Sequence, residues 1–513
     1  MIEKIEVKRR NIGFSVNEDD KFLRVWSPNA KSVQLVLNNE QTFELTPEEF
    51  GYWFAKDLAV NVGDDYRLRL NTENGIIDRA DPASLQQPTG IHTDSRFIDL
   101  NNFEFTDQNW RGIPLEQYII YELHIGTFTP EGTFLSAIEK LDHLLELGIT
   151  AVEIMPVSSF PGERNWGYDG VFPFAVQESY GGPKQLQNFV NECHNRGIAV
   201  ILDVVYNHFG PEGNHLADFG PYFTDKYQTP WGQAINFDDA HCDAVRAYFI
   251  ENVLMWFRDF HIDALRLDAV HAINDFSVTH ILAEMRNYVD QLSSITQKPY
   301  YLIAECDLND VKYLQPLAEN GFGMEAQWAD DFHHALRVTA GEPRTGYYKD
   351  FKGIEDLAKA YRQAFVYDGI YSEVREKSYG SKPTVNPAKQ FVVCSQNHDQ
   401  IGNRMLGERA VELYGFAISK VLATAVLFSP FVPLLFMGEE WGETNRFQYF
   451  VSHTDEKLVE AVRKGRRAEF KDFHLAGEAP DPQSEETFKT SKLKWNELEE
   501  EQHLQMFSFY KDL

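Results

Sequence analysis

Two hydrophobic periods divide the chain. Up to about residue 105 the apolar positions alternate or run in short β-rich stretches, as in Phe22-Leu-Arg-Val-Trp-Ser27 and Val33-Gln-Leu-Val-Leu37. Turn formers follow each stretch closely: Pro28-Asn29, Asn38-Asn39, Gly63-Asp64-Asp65 and Asn74-Gly75. Short strands at this spacing predict a small N-terminal β-sandwich over residues 1–100. Residues 81–95, rich in Asp, Pro and Ser, read as a linker.

From about residue 117 short apolar runs alternate with helical patterns. The candidate strands are Tyr118–His124, Ala151–Pro156, Ala199–Tyr206, Ala264–Ala269, Tyr301–Cys306, Gly323–Trp328, Phe391–Ser395 and Pro433–Gly438. Between the first two, Phe134, Ile138, Leu141, Leu144 and Leu145 share one helical face. A second helix is bracketed by Pro183 near its start and Gly197 just past its end. A third spans about Ala244 to Phe260. Strand–helix alternation predicts an α/β fold with a parallel sheet, and eight such units predict a closed (β/α)8 TIM barrel over residues 101–460. A doubly wound open sheet is the structural alternative, weakened by the lack of a G-x-G-x-x-G or Walker loop after any strand. Residues 461–513 form a polar C-terminal segment. Within it Glu478–Glu486 reads as a loop and Glu501–Leu513 as a helix.

Charge narrows the partners. The chain of 513 residues carries 78 acidic and 48 basic side chains, a net charge of −30, which repels nucleic acid and anionic membranes. The four cysteines, Cys193, Cys242, Cys306 and Cys394, make no C-x-x-C pair, so no zinc or redox motif is visible. The start, MIEKIEVKRR, lacks the apolar core of a signal peptide, and no run approaches 18 apolar residues. The default expectation is a cytoplasmic protein; oligomeric state is not readable.

Candidate chemistry sits where four of the strands end. Leu202-Asp203-Val-Val-Tyr-Asn207-His208, Leu265-Arg266-Leu-Asp268-Ala-Val-His271, Leu302-Ile-Ala-Glu305-Cys-Asp307 and Cys394-Ser-Gln-Asn397-His398-Asp399 each run from apolar residues into ionisable ones. Buried strands tolerate charge only when it is paired, and the C-terminal strand ends form the functional face of a barrel. Asp203, Arg266, Asp268, Glu305 and Asp399 should therefore converge. Three carboxyls and an arginine in one cleft suit glycoside cleavage, in which one carboxylate attacks and a protonated one serves the leaving oxygen. A cation site is the rival reading. Arg266, two residues before Asp268 on the same strand face, disfavours a metal and favours an ionised Asp268.

These four segments, in this order, resemble the α-amylase superfamily of glycoside hydrolases. The resemblance implies that Asp268 is the nucleophile, Glu305 the proton donor and Asp399 the transition-state stabiliser. Trp166-Gly-Tyr-Asp-Gly170, preceded by Met155-Pro-Val-Ser-Ser-Phe-Pro161, looks like the group containing branching and trehalose-releasing enzymes. Within that group, Tyr121-Glu-Leu-His-Ile-Gly-Thr-Phe-Thr-Pro-Glu-Gly132, Asp268-Ala-Val-His-Ala-Ile273, Ala304-Glu-Cys-Asp-Leu-Asn309, Gln327-Trp-Ala-Asp-Asp-Phe-His-His334 and Gln396-Asn-His-Asp-Gln-Ile-Gly-Asn-Arg404 are similar to the malto-oligosyltrehalose trehalohydrolases. The N-terminal sandwich is then expected to be carbohydrate-binding-like, and the substrate a maltooligosyltrehalose cut at its α-1,4 bond to trehalose.

The implied substrate-binding residues are Tyr168, His208, Arg266, His271, Trp328, Asp331, His398 and Arg404. For Asp330 and Asp331 a plain surface loop is the competing reading, and for His208 a structural histidine is. Tyr121, Glu122 and His124 fit either the cleft or a buried polar pairing. Asp203 and Asn207 read as scaffolding behind the site. No cofactor and no catalytic metal are implied, although some members bind structural calcium near the residue matching Asn207. Members usually carry a C-terminal antiparallel β domain, which is expected to be absent or truncated here. The rival functions are a branching or transglycosylating enzyme, an α-glucanase of the same superfamily, or an inert glycan-binding protein.

Overall fold

The computed structural model describes residues 5–17, 20–469 and 479–513. The first four residues of the charged start and Glu478, at the edge of the predicted loop, lie outside them.

The N-terminal part is two antiparallel sheets. Gly13–Asn17, Asp20–Trp26, Tyr52–Lys56 and Thr46–Pro47 form one, in that spatial order. Gln41–Glu44, Ser32–Leu37, Asp65–Thr72 and Gly75–Arg79 form the other, with Ser95–Arg96 added beside Asp65–Thr72. Alternation sets the inner faces: Tyr66, Leu68 and Leu70 are buried while their strand neighbours are half-exposed. The stretch expected to be a linker is instead packed. Asp81, Ala83, Ser84, Leu85 and Gln87 are buried, and Asp81 accepts hydrogen bonds from the Tyr66 hydroxyl and the Ala83 N–H. The Tyr248 hydroxyl of a barrel helix donates to the Pro82 carbonyl at 2.7 Å. Its turn-forming composition fits a chain that crosses a domain junction under hydrogen-bond control.

Eight parallel strands then close into a barrel: β1 Ile120–Leu123, β2 Ala151–Ile154, β3 Ala199–Val204, β4 Ala264–Leu267, β5 Tyr301–Ala304, β6 Ala326–Trp328, β7 Phe391–Cys394 and β8 Val432–Phe436. All eight expected runs are strands. β6 starts later than the pattern suggests, because Gly323 sits at φ 72° in the preceding turn. β8 ends earlier, because Gly438 turns the chain at φ 85°. The first predicted helix is broken: Phe134–Ile138 and Leu141–Leu147 are separate. The second and third run over Gly182–Asn195 and Cys242–Asp259. Ala410–Leu427 reaches 18 residues at a mean hydropathy of 1.5, long and apolar enough on those grounds to cross a membrane. It lies between β7 and β8, is interrupted at Gly415 (φ 76°), and buries Leu422, Ala423 and Val426.

The barrel interior is graded. Its lower layers are apolar, with Ile120, Ala151, Ala199, Ile201, Ala264, Ile303, Ala326, Val392 and Leu434 in one cluster. Period-two alternation carries the same inward face up to Glu122, Glu153, Asp203, Arg266 and Glu305. Register then sets the neighbours: Glu122 pairs with Glu153, and Asp203 with Arg266.

Below the barrel a second ionic cluster ties the entry segment to the core. Buried His194 meets Asp107 at 2.7 Å through Nδ1 and Asp263 at 2.9 Å through Nε2, and Trp110 Nε1 donates to Asp263. Burial pulls the imidazole pKa down, but Asp263 and Asp107 outweigh it, so the net shift is upward. Asp107 is held low against burial by His194 and His261. The helix Glu501–Asp512 packs against the helices Ala410–Leu427 and Leu141–Leu147, burying Met506, Phe507 and Tyr510.

A raised imidazole stabilises the fold below its unfolded value of about 6.5, and that contribution is lost as pH rises through the folded value. A depressed Asp107 contributes above about 4, lost as pH falls toward its folded value. His194→Gln is therefore expected to cost about 3–5 kcal/mol near pH 5, where both terms are present. In thermal melts the gap from wild type should narrow toward alkaline pH; a gap independent of pH would contradict an imidazolium at this position.

Candidate active site

The site is organised by Arg266. Its guanidinium is fully buried at the top of β4, and Nη1 donates to both oxygens of Asp203 at 2.9 Å and to Asp268 Oδ1 at 2.8 Å. Nη2 stands 3.8 Å from Glu305 Oε2. The ring of Trp328 lies 4.4 Å from the guanidinium carbon, a cation–π contact inside the barrel. Burial opposes the charge, but Asp203, Asp268 and Glu305 hold the arginine pKa well above its ordinary value.

Asp268 follows β4 directly. Asn207 Nδ2 donates to its Oδ2 at 2.8 Å and to its carbonyl at 2.9 Å. The next residue, Ala269, is left-handed at φ 41°, a costly conformation for a residue with a Cβ. That turn aims the Ala269 N–H at Glu305 Oε2, 2.6 Å away. Glu305 is pushed up to about 8, first by burial and then by Asp268, Asp399 and Asp330, with Arg266 pulling the other way. Two carboxyls thus flank one arginine in different surroundings.

On the opposite wall, Tyr168 and His398 stack at 5.3 Å and 23°. The Tyr168 hydroxyl donates to Asp203 Oδ2 at 2.6 Å and lies 2.7 Å from His398 Nε2. Glu122 grips His398 twice, accepting from its backbone N–H at 2.9 Å and meeting Nδ1 at 2.5 Å. Burial lowers the His398 pKa, yet Asp399 and Glu122 carry it up to about 9. The imidazolium stands 3.5 Å from Asp399 Oδ2, and Asp399 is open to the cleft. The loop bearing Tyr168 needs a glycine before it. Gly167 has φ 107°, and a Cβ there would sit 2.2 Å from the Pro156 carbonyl oxygen. Trp166 pins the same loop by donating from Nε1 to the Gln448 carbonyl at 3.0 Å.

The structure thus gathers Asp203, Arg266, Asp268, Glu305, Trp328, His398, Asp399 and Tyr168. His208 is at the edge, its Nε2 3.0 Å from the Tyr168 carbonyl, its ring stacked on Trp231 at 4.1 Å. His271 is exposed, its Nδ1 accepting from the Asp307 N–H at 3.3 Å. Trp328 is buried beneath Arg266 and presents no open ring face for a sugar. Asp331 is set apart: it is buried, and one oxygen accepts from the Val366 and Tyr367 N–H groups and the Asn309 amide at 2.6, 2.8 and 2.7 Å. Asp330, beside it, contributes to the field at Glu305. Arg404 is held at the rim by Glu342 at 3.1 Å and Glu408 at 3.5 Å. Tyr121 and His124 take the buried-pairing alternative, on Glu440 and Asn165 respectively. Among the described residues no group of three or more His, Cys, Asp and Glu is placed to hold a metal ion. The Asn207 amide is committed to Asp268 and His208.

Three features escaped sequence reasoning. Trp231 is half-exposed near the tip of a hairpin formed by Phe223–Thr229 and Gly232–Ile235; only a lone Trp in a polar stretch marked it. The left-handed Ala269 had no signal at all. Glu153 passed as part of an apolar strand.

Residues 95–229 match the family model for the alpha amylase catalytic domain, and residues 11–84 match carbohydrate-binding module 48, the isoamylase N-terminal domain. A malto-oligosyltrehalose trehalohydrolase from Saccharolobus solfataricus is 46% identical over 98% of this chain and 86% of its own length. One from Arthrobacter ramosus is 45% identical over 95% of this chain and 85% of its own. The crystal structure of a putative alpha amylase from Salmonella typhimurium superposes with a TM-score of 0.91 at 38% identity, over 98% of this chain and 85% of that one. A 1,4-alpha-glucan branching enzyme from Pseudoalteromonas atlantica is 28% identical over 68% of this chain and 54% of its own length.

The buried position of Asp331 has a direct consequence. Asp331→Ala leaves two backbone N–H groups and the Asn309 amide without their acceptor and is expected to cost about 2–4 kcal/mol of stability. Chemical unfolding measures it, and a variant as stable as wild type would place Asp331 in solvent.

Proposed function

Since the chain belongs to the malto-oligosyltrehalose trehalohydrolase family of the α-amylase superfamily, we propose that the carboxyls around Arg266 carry that family's reaction here. The activity is glycoside hydrolysis: the α-1,4 bond joining a maltooligosyl chain to trehalose is cut and trehalose is released.

One observation supports the division of labour. Asp268 faces a guanidinium and an amide donor, whereas Glu305 is buried among other acids and pushed up to about 8. Opposite environments give one carboxyl the nucleophile's role and the other the acid's. Asp268 attacks the anomeric carbon as the bond to trehalose breaks. Glu305 delivers its proton to the departing oxygen. Trehalose leaves, and the sugar is held as an ester on Asp268. Water then passes a proton to Glu305 and its oxygen to the anomeric carbon. The ester breaks, and the maltooligosaccharide leaves with retained configuration.

Total charge is conserved between the two stages. Before the first step Asp268 is the anion and Glu305 the neutral acid; in the intermediate the roles reverse. Arg266 touches the first through Nη1 and stands beside the second with Nη2, so it serves both without moving. Asp399 and the His398 imidazolium grip hydroxyls of the cleaved sugar, with Tyr168 against its ring. Contacts that tighten as the oxocarbenium-like state forms lower the barrier, because only they favour it over the bound substrate.

The products decide the assignment. Maltotriosyltrehalose is expected to give trehalose and maltotriose, with maltopentaose left almost untouched, as read by chromatography. Efficient cleavage of maltopentaose would move the assignment to an α-glucanase, and longer or branched products to a transferase. Glu305→Gln should lose about 10²–10⁴-fold in rate, and Asp268→Asn should fall to background. Because only the protonated Glu305 can act as acid, kcat/KM should fall as pH rises through about 8. A flat alkaline profile to pH values of about 10 would assign the proton to another group.

A further inference from the structure

One acid in the barrel has no place in the reaction just described. Glu153 points inward from β2, in register with Glu122 on β1 and Ile201 on β3. It is fully buried, and neither carboxyl oxygen has a hydrogen-bond partner in the protein. Its charged surroundings come from four elements: Glu122 on β1, Asp203 on β3, Arg266 on β4 and His398 after β7. Arg266 has unused donor capacity. Nη1 makes every one of its bonds to Asp203 and Asp268, while Nε and Nη2 have no hydrogen-bond partner.

These two orphans belong together electrostatically. An ionised carboxylate without donors is expensive to bury, and a neutral acid much less so. If Glu153 were ionised, the cation in its charged surroundings with N–H groups to spare would be Arg266, through Nε and Nη2. Nη2 is the nitrogen beside Glu305, the one that must accommodate a carboxylate once Glu305 has given up its proton. An anion at Glu153 would therefore draw the guanidinium away from the reacting pair at the stage when it has to serve both.

We propose that Glu153 is a positioning residue for the reaction: it must keep its proton, so that Asp203, Asp268 and Glu305 are the only carboxylates that Arg266 serves. The inference rests on reading Asp268 and Glu305 as the reacting pair. It concerns a residue that touches neither of them and acts through the arginine. Burial, then Glu122 and Asp203, push its pKa well above the ordinary carboxyl range, with Arg266 and His398 opposing. In the unfolded chain the same carboxyl titrates at about 4.3, so folding takes up a proton between that pH and the folded value. Stability must fall over that interval as pH rises, because the native state binds the extra proton.

Glu153→Gln keeps the shape and removes the titration. Two readouts follow from the whole 513-residue chain. The first needs no activity: the Tm of Glu153→Gln relative to wild type should rise with pH from about 4 upward, with the sign set by the extra native proton. A Tm difference independent of pH means that Glu153 is ionised in the folded protein, and overturns the proposal. The second is the alkaline limb of kcat/KM for trehalose release. The wild-type limb should be at least as steep as that of Glu153→Gln, because any ionisation of Glu153 there adds to the loss of the Glu305 proton. A variant limb steeper than that of wild type, or moved to lower pH, would mean that an anion at Glu153 supports the reaction, and overturns the positioning role.

Glu153→Met, which deletes both polar atoms at similar volume, covers the case in which the amide packs badly. Failure of both variants to fold would also overturn the idea, because a neutral unpartnered acid is replaceable by a neutral side chain of its size. Wild type assayed in parallel separates the two readings. If it releases no trehalose, the reaction assignment fails, while the Tm series still reports on Glu153.

Discussion

A single buried guanidinium sets the terms for this barrel. Arg266 has no access to solvent, and a charge in that position survives only if anions surround it. Asp203 supplies a two-oxygen partner from the neighbouring strand, in register with it. Asp268 supplies the third contact, two residues along the chain and just past the strand. The spacing follows from strand geometry, since alternate residues share a face. Everything else in the upper barrel adjusts to that pairing. Trp328 covers the guanidinium face, Tyr168 bonds the far side of Asp203, and Glu305 is left near the arginine without a direct bond to it.

That arrangement places Glu122, Glu153, Asp203, Asp268, Glu305 and Asp399 around one arginine and one imidazolium, and the charges do not balance if every acid is ionised. Desolvation decides which keep their protons. Glu153 has no donor and Glu305 accepts from the Ala269 N–H, and both are pushed upward by burial. Glu122 instead has the His398 ring and backbone N–H. The lower barrel is apolar and the upper barrel acidic, so ionisable groups meet low dielectric from below and the cleft from above. A carboxyl kept neutral at working pH is the requirement for an acid catalyst, and here it arises from packing as much as from neighbouring charge.

The rim depends on parts distant in sequence. The hairpin bearing Trp231 follows Phe219–Tyr222, and that segment is seated on the N-terminal sandwich. Trp26 meets Tyr222 edge-on at 5.1 Å, Ser27 Oγ donates to the Phe219 carbonyl at 2.9 Å, and Arg79 pairs with Asp218 at 2.6 Å. On the same side Glu212 ties His92 to Thr454. The sandwich is thus continuous with the wall of the cleft through the loop after β3. The stretch at 81–95 belongs to this junction, which explains why its polar and turn-forming residues are buried and bonded.

Sequence by itself determined a good deal. Short apolar runs alternating with helical faces specified eight barrel strands, because strand and helix burial impose different patterns on apolar residues. Ionisable residues at four strand ends identified the acidic cleft, since charge on a buried strand needs a partner and strand ends share one face. The family resemblance supplied residue roles that spacing could not. Tertiary structure alone decided what each polar group meets. Asp331 turned onto the backbone at 366–367, Trp328 went beneath an arginine, and Glu153 was left without a donor. Neighbours from 22 residues apart, as with Asn309 and Asp331, to 276 apart, as with Glu122 and His398, created such environments. Protonation state follows from burial and distance, and a linear pattern encodes neither until the barrel closes.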